Sequence, residues 1–322
     1  MILYQCATVR VVSSEPVGQD SKKKWTPALL FLRDAGIALA FVASILLAMF
    51  AYTGLWPPLV VVESDSMMHT EDNVSYVGVI DTGDLVLVKS VDSVPDIETY
   101  MDGYSSGHRT YDDYGDVIIY RVMGNELTTP IIHRAVIYLE VNEDGRSFRS
   151  ESLRDIDDEK WSTTDPSDTW DHLTSVIRIY DYGFQSEVVS IDTDRLEKES
   201  GFITRGDHVN DIDQMRAGQN TPVNIDWVVG KARGEIPWFG LLKLWVTDSL
   251  RSEAPENSVR DLWISMAFIV IVPIVIDVVA TYKIRKRIAA KREAAMREYE
   301  AEKAGTQAQQ DDQPPRPPSG PG

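Results

Sequence analysis

Two apolar runs, each long enough to cross a bilayer, constrain this 322-residue chain more than any other feature. The first, Ala35 to Trp56, contains no charged residue. As a helix rising about 1.5 Å per residue it spans about 33 Å, against a hydrocarbon core of about 30 Å. The second, Leu262 to Tyr282, is similar in length and carries Pro273 and Asp277. A cleavable secretory signal has an apolar centre of only about 7 to 15 residues. No clear small-x-small site closes the first run, although Ala38-Leu39-Ala40 lies inside it. The first run therefore reads as a retained anchor.

Basic residues near the ends of spans are held on the cytoplasmic side. Lys22, Lys23 and Lys24 precede the first run, and Lys283, Arg285, Lys286 and Arg287 follow the second, so both termini are expected in the cytoplasm. Trp56 and Trp263 then mark the outer interface, and Trp25 and Tyr282 the inner one. The expected organisation is a cytoplasmic tail over 1–26, a transmembrane helix over 27–56, an extracytoplasmic β-rich domain over 57–260, a second transmembrane helix over 261–282, and a cytoplasmic charged helix and disordered tail over 283–322. The expected location is the cell membrane. Asp277 lies six residues before Lys283, which puts it near the inner interface with Arg33 as its expected partner rather than in a proton relay.

Residues 57–260 hold 39 Asp and Glu against 18 Lys and Arg, a balance of -21 where the whole chain is -18. A phosphate backbone needs a basic footprint, so nucleic acid is excluded as a partner. Only five of those 18 cations are Lys, and an acidic, lysine-poor surface suits a protein soluble in concentrated salt, which points to a halophilic, archaeal source. Cys6 is the only cysteine, so no intrachain disulfide forms.

Between the spans, short runs rich in Val, Ile and Tyr alternate with Asp, Gly, Ser and Asn, the pattern of strands and turns. Strands are predicted over Leu85–Val88, Val117–Met123, Ile131–Leu139, Ser175–Tyr180, Glu187–Ile191, Gly201–Thr204 and Trp227–Arg233. Asp92–Tyr114 and Val141–Trp170 read as solvated excursions. The apolar segment Ile236–Leu242 suits either the lipid headgroups or a core equally.

A serine hydroxyl becomes a useful nucleophile only when a neighbouring base accepts its proton. Ser66, in Ser64-Asp65-Ser66-Met67, stands ten residues past Trp56 and is tethered close to the membrane surface. The available bases are His69, His108, His133, His172 and His208 and the five lysines, Lys89 among them. His133 lies in the strand pattern Ile131-Ile132-His133-Arg134-Ala135-Val136, where its side chain is rigidly aimed. The segment from Thr204 to Asp213 runs from a strand into an acidic turn whose Asp207, Asp211 and Asp213 are all candidates to orient an imidazole.

Ser64 to Met67 beyond an anchor, then Thr82-Gly83-Asp84-Leu85-Val86-Leu87-Val88, Gly115-Asp116-Val117-Ile118-Ile119-Tyr120, the His133-Arg134 strand and the Gly206-Asp207 turn resemble the ordered boxes of type I signal peptidases, archaeal and endoplasmic-reticulum branch. The boxes cover most of residues 60–240. The resemblance implies a mainly β catalytic domain of the signal peptidase I type anchored by two transmembrane helices. It also implies removal of N-terminal signal peptides from preproteins, with cutting after small residues of the Ala-x-Ala kind. Ser66 matches the nucleophile, His133 the general base, Asp213 the acid that orients it and Asp207 a second required acid. Ser64 and the Ser66 N–H match the oxyanion site, and Met67 lies near the pocket for the residue before the cut. No cofactor or metal is implied. The implied partners are signal-bearing preproteins, the lipid bilayer and the protein translocation channel.

Two departures stand out: the 74 residues between His133 and Asp207, which make the acidic stretch 141–170 look like an insertion, and Gly-Asp-His-Val-Asn where the family tends to show Gly-Asp-Asn-Asn. A metal-dependent hydrolase is a rival reading, although no histidine pair has the helical spacing of a zinc site. A non-enzymatic anchored surface binding module is another. Asn73-Val74-Ser75 fits a glycosylation acceptor close to Ser66.

Overall fold

The computed structural model describes residues 27–70, 73–216 and 218–311; Cys6, Lys22 to Trp25 and the tail beyond Asp311 lie outside the described residues. The chain divides into two compact units, Met1–Tyr52 and Thr53–Gly322.

Helix α1 (Pro27–Thr53) accounts for the described part of the first unit. Its 23 residues from Phe31 to Thr53 are long and apolar enough to cross a membrane. Side chains on every side of it, among them Phe31, Leu39 and Leu47, are exposed, as suits a helix with no polar face to turn toward water. The helix stops three residues short of the expected Trp56, because Gly54 adopts a left-handed φ of 71° and two prolines follow it. Arg33 donates to the adjacent Asp34.

The second unit is built from twelve strands among the described residues, all paired antiparallel within its sheets. They are β1 (Leu59–Val61), β2 (Leu85–Lys89), β3 (Arg109–Thr110), β4 (Asp113–Tyr114), β5 (Val117–Tyr120), β6 (Ile131–Val141), β7 (Phe148–Arg149), β8 (Trp161–Thr163), β9 (Val176–Tyr182), β10 (Glu187–Asp192), β11 (Gly201–Arg205) and β12 (Val228–Ile236). The main sheet runs β1-β2-β12-β5-β6-β11 with β7 beside β6, a second sheet runs β10-β9-β8, and β3 pairs β4.

The seven predicted strands all form, and each shifts by a few residues at most. Val117–Met123 ends at Tyr120, where a short 3-10 turn puts Met123 at φ 48°. Central strand β5 is a fully buried Val-Ile-Ile-Tyr run and β6 is rich in Ile and Val with its middle buried, which is why they read clearly in sequence. Strand β6 serves three cores: Ile132 packs toward Val62, Met67 and Val117; Ala135 and Tyr138 toward Phe202; Val136 and Leu139 toward Phe148, Ile177 and Ile203.

The two expected excursions are folded instead. Asp92–Tyr114 contains helix α2 (Tyr100–Ser106), started by a Thr99–Asp102 capping box and closed by Gly107 at φ 82°, with Ile97, Tyr100 and Met101 buried. Val141–Trp170 supplies β7 and β8 and buries Phe148, Leu153 and Lys160. Most of their acids face solvent, Asp113 being buried, but sparse apolar residues among them reach a shared core with β9, β10 and Val136. A dense acidic composition therefore hid two anchored segments.

Helix α3 (Gly240–Thr247) takes up the end of Ile236–Leu242, and the core reading holds for its Leu241. Leu241 and Leu244 pack on Leu262 at the start of helix α4 (Glu256–Asp311), while Leu242, Trp245 and Val246 are exposed. Helix α4 contains the second apolar stretch long enough for a membrane and continues unbroken through Pro273 into the charged region, where two separate elements were expected.

Candidate active site

Strand β1 runs out at Val61 and the chain turns through Ser64-Asp65-Ser66, with Met68 N–H bonded back to Asp65 O at 3.1 Å. Met67 and Met68 are each only 1% exposed and anchor this loop in the core. Ser66 Oγ lies 3.1 Å from His133 Nε2, and His133 Nδ1 lies 2.6 Å from Asp213 Oδ2. Serine, histidine and aspartate form one connected line in the chain order noted from the sequence.

His133 and Arg134 are consecutive on β6, and successive strand side chains point to opposite faces. They accordingly meet different acids of the same turn. Arg134, wholly buried, donates from Nε to Asp207 Oδ1 at 2.9 Å and from Nη2 to Asp207 Oδ2 at 2.6 Å. Its Nη1 donates to the carbonyls of Thr110, Tyr114 and Gly115. Of the three acids left open by the sequence, Asp213 holds His133, Asp207 holds Arg134, and Asp211 is exposed.

Asp213 Oδ2 also accepts from the hydroxyls of Tyr120 at 2.8 Å and Thr204 at 2.7 Å. The pairing of β11 with β6 shifts register between Ile203 and Thr204, an irregularity of the kind that re-aims a side chain. Burial acts to raise the Asp213 carboxyl, but the charge and hydrogen bond of His133, helped by the two hydroxyls, hold it below the ordinary carboxylate range. An ionised Asp213 can only accept, so Nδ1 of His133 carries the proton and Nε2 is left to accept from Ser66. Asp213 Oδ1 is buried with no hydrogen-bond partner, and Arg216 Nη1 stands 3.6 Å away.

Burial likewise acts to raise Asp207, yet Arg134, together with the hydrogen bond to His69, brings it down to about 2. The turn bearing these acids lies directly on the serine loop, with His208 N–H donating to Ser66 O at 2.9 Å. A Cβ on Gly206 would stand 2.5 Å from Ser66 O and 2.8 Å from His133 Nε2, so only glycine fits there.

Ser64 Oγ lies 3.3 Å from Ser66 Oγ, and both residues line a cleft of about 200 Å³ together with Val60–Glu63, Met67, Thr129–His133, Arg216 and Arg251. One wall continues edge strand β1, which offers backbone groups to an extended peptide. Every site residue named from sequence except Asp207 thus lies in the cleft or on the hydrogen-bonded line behind it, and Asp207 sits against Arg134 and His69.

Tyr120, Thr204 and His69 were not assigned to the site from sequence. Nothing local to Tyr120 or Thr204 marks either residue as a partner of Asp213. Among the other candidates, Lys89 ends β2 with an exposed side chain in register with Lys231, away from the residues lining the cleft. His108 Nε2 pairs with Asp116, and His172 is exposed. No group of three or more His, Cys, Asp and Glu is placed to hold a metal ion among the described residues. In the glycosylation triplet Asn73 is exposed, while Ser75 is buried and accepts from Trp238 Nε1.

No protein-family model matches the chain, and no curated protein matches it in sequence.

Proposed function

We propose that the chain is a membrane-bound serine endopeptidase of the type I signal peptidase kind, archaeal and endoplasmic-reticulum branch, which removes signal peptides from secreted and membrane preproteins. The observation that carries this reading is the Ser66–His133–Asp213 line at a cleft bordered by an edge strand. It is supported by an apolar helix ending at Thr53, only thirteen positions before Ser66.

A preprotein lies extended along β1, with its small residue before the cut over Met67. His133 Nε2 takes the Ser66 proton as Oγ attacks the scissile carbonyl. Asp213 stabilises the imidazolium through Nδ1–H. The oxyanion is met by the Ser66 N–H and the Ser64 hydroxyl. The tetrahedral intermediate collapses to an acyl-enzyme as His133 returns its proton to the leaving amine. Water, deprotonated by the same imidazole, then releases the signal peptide. Because the apolar part of a signal shares the bilayer with the enzyme's own spans, the encounter is local and its entropic barrier small.

The test is cleavage of a precursor with an Ala-x-Ala site by detergent-solubilised protein in high salt. The wild type gives one cut at that site, and Ser66→Ala and His133→Ala abolish it. His133→Lys reports whether an amine at this position replaces the imidazole. A Ser66→Ala variant that still cuts at the same bond sinks the proposal.

A further inference from the structure

Three residues past Ser66, His69 makes a set of contacts that the Ser66–His133–Asp213 line does not use. Its Nε2 lies 2.8 Å from Asp207 Oδ2, and its ring stacks on Phe184 with centroids 4.6 Å apart and planes 15° from parallel. The imidazole is 7% exposed, and the Asp207 carboxylate beneath it 1%. Arg134 holds Asp207 ionised, so the carboxylate accepts and His69 Nε2–H donates. Ser66 Oγ meets the imidazole of His133, not that of His69.

The geometry makes a two-point clamp. Consecutive residues of one turn grip two ends of the serine loop: His208 N–H takes the Ser66 carbonyl, and Asp207 takes the His69 side chain. Asp207 is itself fixed by Arg134 on β6, the neighbour of His133. The nucleophile and its base are therefore referenced to the same rigid strand from two directions. Phe184, in the turn between β9 and β10, closes the outer face of the ring.

We infer that His69 is a positioning residue, which through Asp207 and Phe184 holds the serine loop at the separation from His133 that proton transfer needs. The inference rests on the reading of Ser66 as nucleophile. A positioning role puts the loss in turnover rather than in substrate affinity, since the cleft walls formed by Val60–Glu63 and Thr129–Ile132 do not involve His69.

The experiment measures kcat and KM for precursor cleavage by the full chain carrying His69→Ala, His69→Gln, His69→Phe or Phe184→Ala, with thermal unfolding alongside. Glutamine places an N–H where Nε2 stands, while phenylalanine keeps the stack and removes the donor. His69→Ala is expected to lower kcat about 10- to 100-fold with KM changed less than about twofold, as for other outer partners of reacting groups. His69→Gln recovers most of that loss and His69→Phe does not. Phe184, being 37% exposed, tolerates truncation, and Phe184→Ala lowers kcat by a smaller factor. Unchanged kcat in His69→Ala, a loss confined to KM, or full activity in His69→Phe overturns the role of His69 while leaving the proposed activity standing. A wild type that cuts no precursor overturns the proposed activity and this role together.

Discussion

The protein holds two groups of carboxylates wholly or partly away from solvent and shifts their titration in opposite directions. Around the cleft, Asp207 and Asp213 are pulled below the ordinary range by Arg134, His69 and His133. At the β2 and β12 end of the sheet, Asp81, Asp84 and Glu235 meet backbone N–H groups of Tyr76, Asp81, Trp238 and Gly78, and one another's charge. Burial dominates there and pushes them up to about 6, 8 and 7 respectively. Depth alone does not decide the charge of a buried acid; the charged and hydrogen-bonding side chains that reach it do. The cleft sets a guanidinium and two imidazoles against its two carboxylates, whereas the other group is met mainly by backbone N–H groups.

The sharpest way to break this contrast is to remove the charge that orients the base. Asp213→Asn keeps the shape, but since His133, Tyr120 and Thr204 all meet Oδ2, an amide nitrogen there donates to Nδ1 and no longer accepts from the hydroxyls, stabilising the tautomer that carries its proton on Nε2. Loss of about 10⁴-fold in kcat/KM for precursor cleavage is expected, with little change in unfolding temperature. Near-wild-type turnover would mean that the ionised state of Asp213 is incidental.

Next in size is the removal of the buried cation. Arg134→Met leaves the buried Asp207 carboxyl without its guanidinium, and destabilisation by about 3–5 kcal/mol in denaturant titration is expected. The double variant Arg134→Met with Asp207→Leu removes both charges and regains part of that loss. If the single and double variants unfold alike, the ion pair is not what holds Asp207 ionised.

The sequence made the two ends of this network legible to different degrees. Ser66 and His133 stood out because a short box and a strand period carry local information, and the long apolar runs did the same for both helices. Asp213 was one of three acids within seven residues, and spacing alone does not separate them. What separates them is the alternation of β6 and the position of the turn, which set pairings 80 and 73 residues apart. Tyr120 reaches Asp213 across 93 residues and His69 reaches Asp207 across 138, with no periodic signal to announce either. The stretches 92–114 and 141–170 were misread for a related reason. Their few apolar residues acquire meaning only against β6 and β9, which lie elsewhere in the chain.

The pH dependence of stability sharpens the comparison with smaller effects. Asp207 lies at about 2 in the fold against an ordinary 3.8, so its contribution is complete above the ordinary value and is lost as pH falls from about 4 to about 2, about 2 kcal/mol in all. Asp213 shifts in the same direction. The raised acids have the reverse sign: their contribution is complete at low pH and drains away as pH rises toward about 8, to which burial pushes Asp84. Unfolding temperature is therefore expected to peak on the acid side of neutrality. Asp84→Asn, neutral at every pH, flattens the alkaline limb, and a limb of unchanged slope would show that Asp84 is already ionised in the fold.

The smallest expected effect is also the most discriminating control. Asp211 shares the turn with Asp207 and Asp213 and matches them in chemistry, but it is exposed. If buried partners rather than the acidity of the turn give these carboxylates their roles, Asp211→Asn leaves kcat/KM within about twofold and stability within about 0.5 kcal/mol. Salt distinguishes the acids in the same way, because exposed charges are screened beyond about 3 Å at 1 M ionic strength while buried pairs are screened much less. Lowering the salt should move activity to the same extent in the wild type and in Asp211→Asn. A large loss in Asp211→Asn, or a salt response that vanishes with it, would shift the functional weight from Arg134 and His133 to the surface charge of the turn.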